Sequence, residues 1–488
     1  MSATASWSLR SRFIVPHFNA IFMPAGQMLT HILQDLWHND ATREVRGVRR
    51  IERNLSTSQI IILGFMALIL LGSLLLMLPA STRDGRGASF SDALFTATSA
   101  VCVTGLVVRD TAAYWSGFGQ GVLLLLIQIG GMGVVTAAMA MVALTGRRVS
   151  LKQRTAIQES LSAHSISGIV RLAGIIICAT VVIELTGAAV IAPVFCRRYG
   201  LKEGIWYGLF HAVSAFCNAG FDLMGREEAF SSLTSFAAQP VINLTVMALI
   251  IVGGIGFLTW EDVRTHGVHL RRFSMQSKVI LSVTGLLIAL PAVYFFFGEF
   301  AAYPMRQRVW SSLFQAVTPR TAGFNTVDQA ALSDTGQVLT VALMLIGGSP
   351  GSTAGGMKTT TLAALAATAW AVFRRREHTS LFGRRLEEGA VRTAATVMVM
   401  YLTLFLLGGA VISRAEALPL GTCLFETASA IGTVGLSLGI TPTLGPLSRG
   451  ILIFLMFFGR AGGLTLIFAA LAGRKREALL PMEKLTIG

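Results

Sequence analysis

Apolar segments long enough to cross a membrane recur along this sequence, separated by shorter segments rich in small and aromatic residues. A run of roughly 20 apolar residues is typical of a transmembrane helix. The apolar runs predict eight membrane-spanning helices: Ile60–Pro79, Gly121–Gly146, Leu172–Phe195, Pro240–Trp260, Val279–Gly298, Gln337–Phe373, Thr393–Ser413 and Gly450–Gly473.

Between the two spans of each successive pair lies a short helical segment that runs into a turn of small residues. These short helices are Phe90–Ala100, Ile205–Ala215, Val309–Val317 and Leu420–Ala430. They lead into four related stretches, FTATSAVCVTGL, FHAVSAFCNAGF, FQAVTPRTAGF and FETASAIGTVGL, whose glycines are Gly105, Gly220, Gly323 and Gly435. The glycines are 115, 103 and 112 residues apart. Because the short helices cannot cross the bilayer, each is predicted to enter and leave it from the outer side.

The second span of each pair carries a glycine cluster. The clusters are Ile129–Gly133, Val252–Gly256, Ile346–Gly351 and Phe458–Gly463. A fourfold internal repeat of this kind predicts one supersecondary unit per repeat, with all four sharing one core.

The predicted fold class is an all-α integral membrane protein. Four repeats, each of a first span, a pore helix, a filter segment and a second span, surround one pore, giving eight transmembrane helices and four re-entrant helices. The predicted boundaries are a cytoplasmic segment 1–58, repeats 59–146, 147–260, 261–373 and 374–473, and a cytoplasmic tail 474–488.

Composition supports a membrane location. The chain has 488 residues, 53% hydrophobic and only 13% charged, whereas soluble domains carry about 25% charged residues. The net charge of +15 is concentrated in the N-terminal segment, the loops between repeats and the tail. The positive-inside rule therefore predicts that both termini are cytoplasmic. Membrane topology explains these charges, so no nucleic-acid partner is predicted.

Motifs for soluble chemistry are absent from the sequence. The five cysteines have neither metal-site nor disulfide spacing, and no protease, hydrolase or nucleotide-binding motif occurs. We therefore predict that the protein is not an enzyme. Any control by a nucleotide would have to act through a separate polypeptide.

The four glycine turns are candidate elements of an ion filter. Non-helical backbone at membrane depth is tolerated only where it is buried or lines water. Four such turns on one axis present carbonyl oxygens that replace the hydration shell of a cation. The carbonyl-rich ends of four short helices add negative potential at the same point. The alternative for any single copy is close helix packing through small residues.

The four segments, together with TPRTAGFN at Thr318–Asn325 and GTVGL at Gly432–Leu436, resemble the Trk/Ktr/HKT superfamily of potassium transporters, and most of all its Ktr B-type (KtrB) pore subunit. The resemblance implies K+ coordination by main-chain groups at each filter glycine. The residues at these positions are Val101, Cys102, Val103, Thr104, Gly105, Phe216, Cys217, Asn218, Ala219, Gly220, Arg320, Thr321, Ala322, Gly323, Ile431, Gly432, Thr433, Val434 and Gly435.

An interruption in the third repeat predicts a loop inside the membrane. The stretch GGSPGSTAGGMK at Gly347–Lys358 would cost roughly 8 kcal/mol as a helix, from its glycines and proline. We predict a broken helix lining the cavity below the filter, and the resemblance implies that this loop is a gate; the alternative is a kink at Pro350 alone. The gate residues are Gly347, Gly348, Ser349, Pro350, Gly351, Ser352, Thr353, Gly355, Gly356, Lys358 and Arg460.

Arg460 belongs to this set because it lies about midway along the last span. A charge at that depth normally faces a pathway or a bundle interior. We expect it to project beneath the filter, oppose resting cations and anchor the loop. Pairing with a buried acid such as Glu184 is the alternative, and Lys358 allows the same two interpretations.

The predicted function is potassium uptake through one pore per chain, with K+ as cargo and Na+ as a candidate second ion. The resemblance implies a homodimer in lipid, seated on a cytoplasmic nucleotide-binding ring of the Ktr A/Trk A type, in the bacterial inner membrane. A cation-coupled secondary potassium symporter is the alternative. It is disfavoured because all repeats run in the same direction and buried carboxylates are scarce.

Overall fold

A computed structural model describes residues 56–134, 136–137, 151–160, 169–226 and 228–470. Apart from residues 56–58, the predicted N-terminal segment lies outside the described residues, and so does the predicted tail. Within the described part, secondary structure is helical except for two isolated bridges and one antiparallel hairpin, β1 (Ser380–Leu381) and β2 (Arg384–Arg385).

The helices follow one another in the order of the four predicted repeats. The first contains α1 (Thr57–Leu76), α2 (Phe90–Val101) and α3 (Gly117–Met132). The second contains α4 (Leu151–Ser160), α5 (Ile169–Tyr199), α6 (Leu201–Phe216), α7 (Pro240–Gly254) and α8 (Phe257–His266). The third contains α9 (Met275–Tyr294), α10 (Met305–Val317), α11 (Asp334–Leu345) and α12 (Thr359–Phe373). The fourth contains α13 (Glu388–Glu416), α14 (Leu420–Gly432), α15 (Pro446–Ala461) and α16 (Gly463–Ala470).

Short helical turns occur in the connections. They are Thr111–Tyr114 (one α-turn), the 3₁₀ turns Pro79–Ser81, Thr234–Phe236, Leu270–Arg272 and Thr441–Thr443, and a π-turn at Phe295–Glu299 that continues α9.

In the described part of each repeat, one unbroken helix is long and apolar enough to cross a membrane. These helices are α1, α5, α9 with its π-turn, and α13. Their outer faces carry exposed aliphatic side chains, such as Leu71 at 55% and Leu74 at 60% exposed. Exposed leucines on a helix that is apolar all round are typical of a lipid-facing surface.

The prediction of continuous second spans is wrong for three repeats. The helix from Gly117 ends at Gly133, α15 ends at Gly462, and α7 meets α8 at a bend of 96° beside Gly256. These three glycines have φ of 86°, 84° and 89°, a conformation that ends a right-handed helix. The break predicted for the third repeat is present, because the chain leaves helix at Leu345 and resumes it at Thr359.

The four pore helices begin and end within four residues of their predicted bounds. They are α2, α6, α10 and α14. Each buries a phenylalanine at the start of its repeated stretch, and Phe95, Phe210, Phe314 and Phe425 are at most 1% exposed. Burial of a Phe side chain stabilises a fold by roughly 1.5–3 kcal/mol. The repeated aromatic thus fixes each pore helix in the protein interior.

Candidate functional site

Each pore helix ends in a turn that places two residues in left-handed backbone. The second of the two is always the repeated glycine, with φ of 90° at Gly105, 69° at Gly220, 79° at Gly323 and 96° at Gly435. Two positions earlier, a non-glycine residue is also left-handed: Val103, Asn218, Thr321 and Thr433, with φ between 49° and 67°. Non-glycine residues in this region cost about 1–3 kcal/mol and cluster at functional sites.

The four glycines form a closed ring. A methyl group placed on Gly105 would lie 3.1 Å from Gly220 Cα, one on Gly220 would lie 3.0 Å from Gly323 Cα, one on Gly323 would lie 3.3 Å from Gly435 Cα, and one on Gly435 would lie 2.9 Å from Gly105 Cα. The same methyl groups would also contact the carbonyl oxygen of the residue that precedes each neighbouring glycine. These carbonyl oxygens belong to Ala219, Ala322, Val434 and Thr104. Four turns therefore meet at one centre with main-chain oxygens between them.

A buried hydroxyl near the end of each pore helix braces its turn, and sequence reasoning missed this set. Ser99 and Ser429 accept the N–H of Gly105 and Gly435 at 3.1 and 2.9 Å. Ser214 donates to Phe221 O at 2.7 Å, and Thr318 donates to Phe324 O. Aligning the four stretches on their glycines would have found these residues, because each repeat has Ser or Thr five or six positions earlier.

Removing one brace is expected to weaken the turn. Ser429→Ala leaves the Gly435 N–H without a partner, and an unsatisfied buried donor costs about 1–3 kcal/mol. We expect a lower thermal unfolding temperature in detergent and a weaker apparent affinity for K+. Thr396→Ala, which removes an exposed hydroxyl bonded to Arg392 O, should have little effect on either quantity. Equal effects of the two variants would contradict the bracing role.

The predicted filter residues lie in two positions. Val101, Phe216, Ile431 and Gly432 occupy the last turns of pore helices, and the remaining fifteen lie in the filter turns that follow.

The Arg320 side chain is buried and donates to Thr284 Oγ1 at 3.2 Å. Thr104 and Thr433 carry buried hydroxyls with no hydrogen-bond partner among the described residues, and unpartnered oxygens of this kind suit a cation.

A cavity of about 430 Å³ lies on one side of the ring and is lined by all four filter glycines. Three carboxylates also line it: Asp110, Asp222 and Asp328. Negative side chains in a concave mouth raise the local cation concentration.

Two other acids near the turns bind protein groups instead. Asp92 pairs with Arg109 and Arg449, both at 3.0 Å. Glu426 is fully buried and accepts from Ser437 and Thr441.

The interrupted segment of the third repeat packs on the other side of the ring. Its first limb contacts the second repeat, where Ser349 N donates to Gly254 O at 3.0 Å and Thr353 N to Gly253 O at 3.2 Å. Its second limb contacts the fourth repeat, where Gly356 N donates to Gly459 O at 3.2 Å. The loop therefore spans the region beneath the filter from one side to the other.

Arg460 ties this loop to the first repeat. Its guanidinium donates to Thr353 O in the loop and to the carbonyls of Gly130 and Gly131, the latter at 2.8 Å. Within the part of the chain that the structure describes, no carboxylate lies within ion-pair distance of Arg460, so the alternative pair with Glu184 is absent there. Lys358 donates within its own loop, to Ala354 O at 2.8 Å and Gly355 O at 3.2 Å.

Comparison with known proteins relates this arrangement to cation transporters. Residues 29–476 match the family model TrkH, described as a cation transport protein. The potassium/sodium uptake protein NtpJ of Enterococcus hirae is 38% identical over 90% of this chain and 99% of its own. The Ktr system potassium uptake protein B of Bacillus subtilis is 38% identical over 84% of this chain and 92% of its own.

A solved structure shares the fold. The potassium transporter TrkH from Vibrio parahaemolyticus superposes with a TM-score of 0.69 at 20% identity, covering 85% of this chain and 84% of that one. At this identity the likeness concerns the fold alone.

Proposed function

Because this chain belongs to the TrkH family of cation transport proteins, we propose that it is the ion-translocating pore subunit of a Trk/Ktr-type potassium uptake system. It is a multi-pass membrane transporter and not an enzyme. Relatives named for potassium or potassium/sodium uptake supply the cargo in this proposal, with K+ first and Na+ as a second candidate ion.

The closed ring of Gly105, Gly220, Gly323 and Gly435 carries the proposal. It lies between an acid-lined outer cavity and a loop that crosses beneath it. A ring of backbone oxygens can replace the water around a monovalent cation. One ring per chain supports one pore per chain, with K+ passing down its electrochemical gradient. A cation-coupled symporter remains the second candidate, because NtpJ is named for uptake of both ions.

The loop 347–358 is the gate in this proposal. Its polar contacts with the second and fourth repeats, and through Arg460 with the first, hold it beneath the filter. A separate nucleotide-binding ring on the cytoplasmic side would withdraw it, and the pore chain would form a homodimer in the bacterial inner membrane with both termini inside. A relative named as component B of a Ktr system supports a multi-subunit assembly.

Rubidium uptake in cells lacking other potassium uptake systems tests the proposal. We expect the cells to take up rubidium from the medium with a selectivity like that for K+. Uptake is measured with and without sodium. Strict dependence on sodium with coupled sodium entry would favour the symporter. Co-purification with a nucleotide-binding partner and a nucleotide-dependent change in flux would support the regulatory ring, whereas full gating by the purified pore chain alone would contradict it.

Uptake is expected to depend on external pH through Asp222. Burial, together with repulsion by Asp110, raises the pKa of Asp222 to about 7, although a hydrogen bond from Met224 N opposes the rise. The carboxyl is therefore neutral below that pH and attracts cations only above it. We expect uptake at low ionic strength to rise about twofold to threefold from pH 6 to pH 8.

The Asp222→Asn variant should have a flat profile at the lower level over the same pH range. A profile that keeps its wild-type slope in this variant would assign the titration to another group.

A further inference from the structure

A buried acid that belongs to neither the filter nor the loop lies at the middle of α5. Glu184 is the sixteenth of the 31 residues of this helix and is only 4% exposed. It lies about 22 Å from either end of the helix, too far for its side chain to extend to water. Among the described residues, no Lys, Arg or His side chain lies within ion-pair distance of it. A carboxylate at that depth is costly unless a cation or a proton neutralises it.

The neighbours of Glu184 come from the first repeat and from the second filter segment. Cys217 Sγ, in the filter turn, lies 3.8 Å from Glu184 Oε1 and 3.8 Å from Gln128 Oε1. The Gln128 side chain, on α3, also forms a hydrogen bond with the Glu184 carboxyl group. Two side-chain oxygens from different repeats therefore lie beside the same thiol. Neither an amide nor a thiol carries a positive charge that would offset the carboxylate.

A hydroxyl without a partner lies on the same face of α5. Thr180 is one turn before Glu184 and is fully buried, whereas Val182 between them is exposed, so Thr180 and Glu184 share the inward face. Thr180 Oγ1 has no hydrogen-bond partner among the described residues. Thr186 of the same helix instead donates to Val182 O at 2.7 Å, a bond that threonines often make one turn back. Because Thr180 does not make that bond, its oxygen can bind a ligand beside Glu184.

We propose that Glu184, Gln128 and Thr180 form a sodium site inside the membrane, behind the second filter segment and separate from the glycine ring. One monovalent cation neutralises one carboxylate, whereas a divalent ion would leave a buried positive charge. Carboxylate, amide and hydroxyl oxygens are the ligands that hard cations prefer. A carboxylate presents a stronger field than a carbonyl, which favours the smaller Na+ over K+. A proton alone would neutralise Glu184 but would leave the Thr180 hydroxyl without a partner.

The site adjoins both the filter and the anchor of the loop. Cys217 belongs to the second filter turn, and Gln128 closely precedes Gly130 and Gly131, whose carbonyls accept from Arg460. A sodium ion bound to Gln128 is therefore held by the same end of α3 that anchors the loop. The inference rests on the proposed function in one respect. Because K+ fills the glycine ring there, an effect of Na+ at saturating K+ belongs to another site.

Thermal unfolding of the purified full chain in detergent measures sodium binding, because a ligand that binds the folded state raises the unfolding temperature. NaCl replaces choline chloride at constant ionic strength and at saturating KCl, once at pH 7 and once at pH 9. Glu184→Gln removes the charge and keeps the shape of the side chain. Thr180→Val removes the hydroxyl oxygen and keeps the volume, whereas Thr180→Ser keeps the oxygen.

We expect the unfolding temperature of the wild type to rise with Na+ although K+ is saturating. The rise should be absent in Glu184→Gln, and Thr180→Val should need about threefold to tenfold more Na+, the ratio that one lost polar contact supplies. Thr180→Ser should respond like the wild type. Two controls should also keep the wild-type response: Glu203→Gln, which removes an acid from an exposed ion pair with Arg226, and Thr186→Val, which removes an exposed hydroxyl from the same helix.

Two results would overturn the inference. A wild type that does not respond to Na+ at either pH would mean that a proton neutralises Glu184. An equal response in Glu184→Gln would place the sodium elsewhere; if that variant yields no folded protein, an unchanged Na+ affinity in Thr180→Val has the same consequence.

Rubidium uptake by wild-type proteoliposomes tests the proposed function separately. Uptake together with either of these results leaves the pore intact and removes only the sodium site. Vesicles that stay impermeable with every partner added would refute the pore, whatever the response to sodium.

Discussion

Replacing Gly435 with serine is expected to reduce potassium uptake at least about tenfold and to lower the preference for K+ over Na+. Gly435 has φ of 96°, a conformation that costs a residue with a side chain about 1–3 kcal/mol. A Cβ there would also contact Thr104 O and lie 2.9 Å from Gly105 Cα. The ring must then open on that side, which changes the spacing of its oxygens.

Two other glycines provide controls for this variant. Gly439 has φ of 90° with nothing within 4 Å of a Cβ, so Gly439→Ser carries the backbone strain without the crowding. Gly450 lies in α15 with open space beside it, so Gly450→Ser should behave as wild type. Uptake and the ratio of rubidium to sodium flux are the measurements. A Gly439→Ser variant as defective as Gly435→Ser would attribute the loss to local strain and contradict the ring.

Replacing Arg460 with glutamine is expected to raise flux in the absence of any regulatory partner about 10- to 100-fold. Hydrogen bonds from a charged donor contribute about 1.5–3 kcal/mol, and Arg460 makes such bonds to Thr353 O and to the carbonyls of Gly130 and Gly131. Losing these hydrogen bonds shifts the equilibrium toward the withdrawn loop by roughly the factor that this free energy corresponds to. It also removes a positive charge that opposes cations beneath the filter.

Proteoliposomes containing the pore chain alone measure this effect by rubidium uptake. Arg460→Lys should give an intermediate flux, because an ammonium keeps the charge but lacks the planar fork that reaches two repeats. Arg414→Gln removes a charge from the exposed end of α13 and serves as the control. Unchanged flux in Arg460→Gln, with normal amounts of folded protein, would show that this side chain does not hold the loop.

Much of the architecture could be predicted because it repeats. The four stretches around Phe95, Phe210, Phe314 and Phe425 predicted short helices, and the structure has them with small shifts at their ends. Gly347–Lys358 predicted a broken helix because its glycine and proline content is costly in a helix. A single filter stretch would have been ambiguous, since small residues also serve close helix packing.

The breaks in the other second helices were missed although their glycine clusters were noted. Ile129–Gly133, Val252–Gly256 and Phe458–Gly463 lie inside apolar stretches whose hydrophobicity alone predicts a continuous span. The helices end where Gly133, Gly256 and Gly462 take a positive φ. Shortly before each end, Gly130, Gly253 and Gly459 pack against main-chain carbonyls of Val101, Phe216 and Ile431. Hydropathy does not report such a contact.

By itself, the sequence determined that this protein is a helical membrane protein of four related units, each with a short helix, a glycine turn and a second apolar segment. Those features follow from local rules: apolar length, helix cost and the conformational freedom of glycine. Only the tertiary structure decided the order of the glycine ring, the pairing of Asp92 with Arg449 across 357 residues, and the contact of Thr353 with the Phe216 carbonyl. These depend on how the repeats pack together, and residues far apart in the chain carry no local signal of their neighbours.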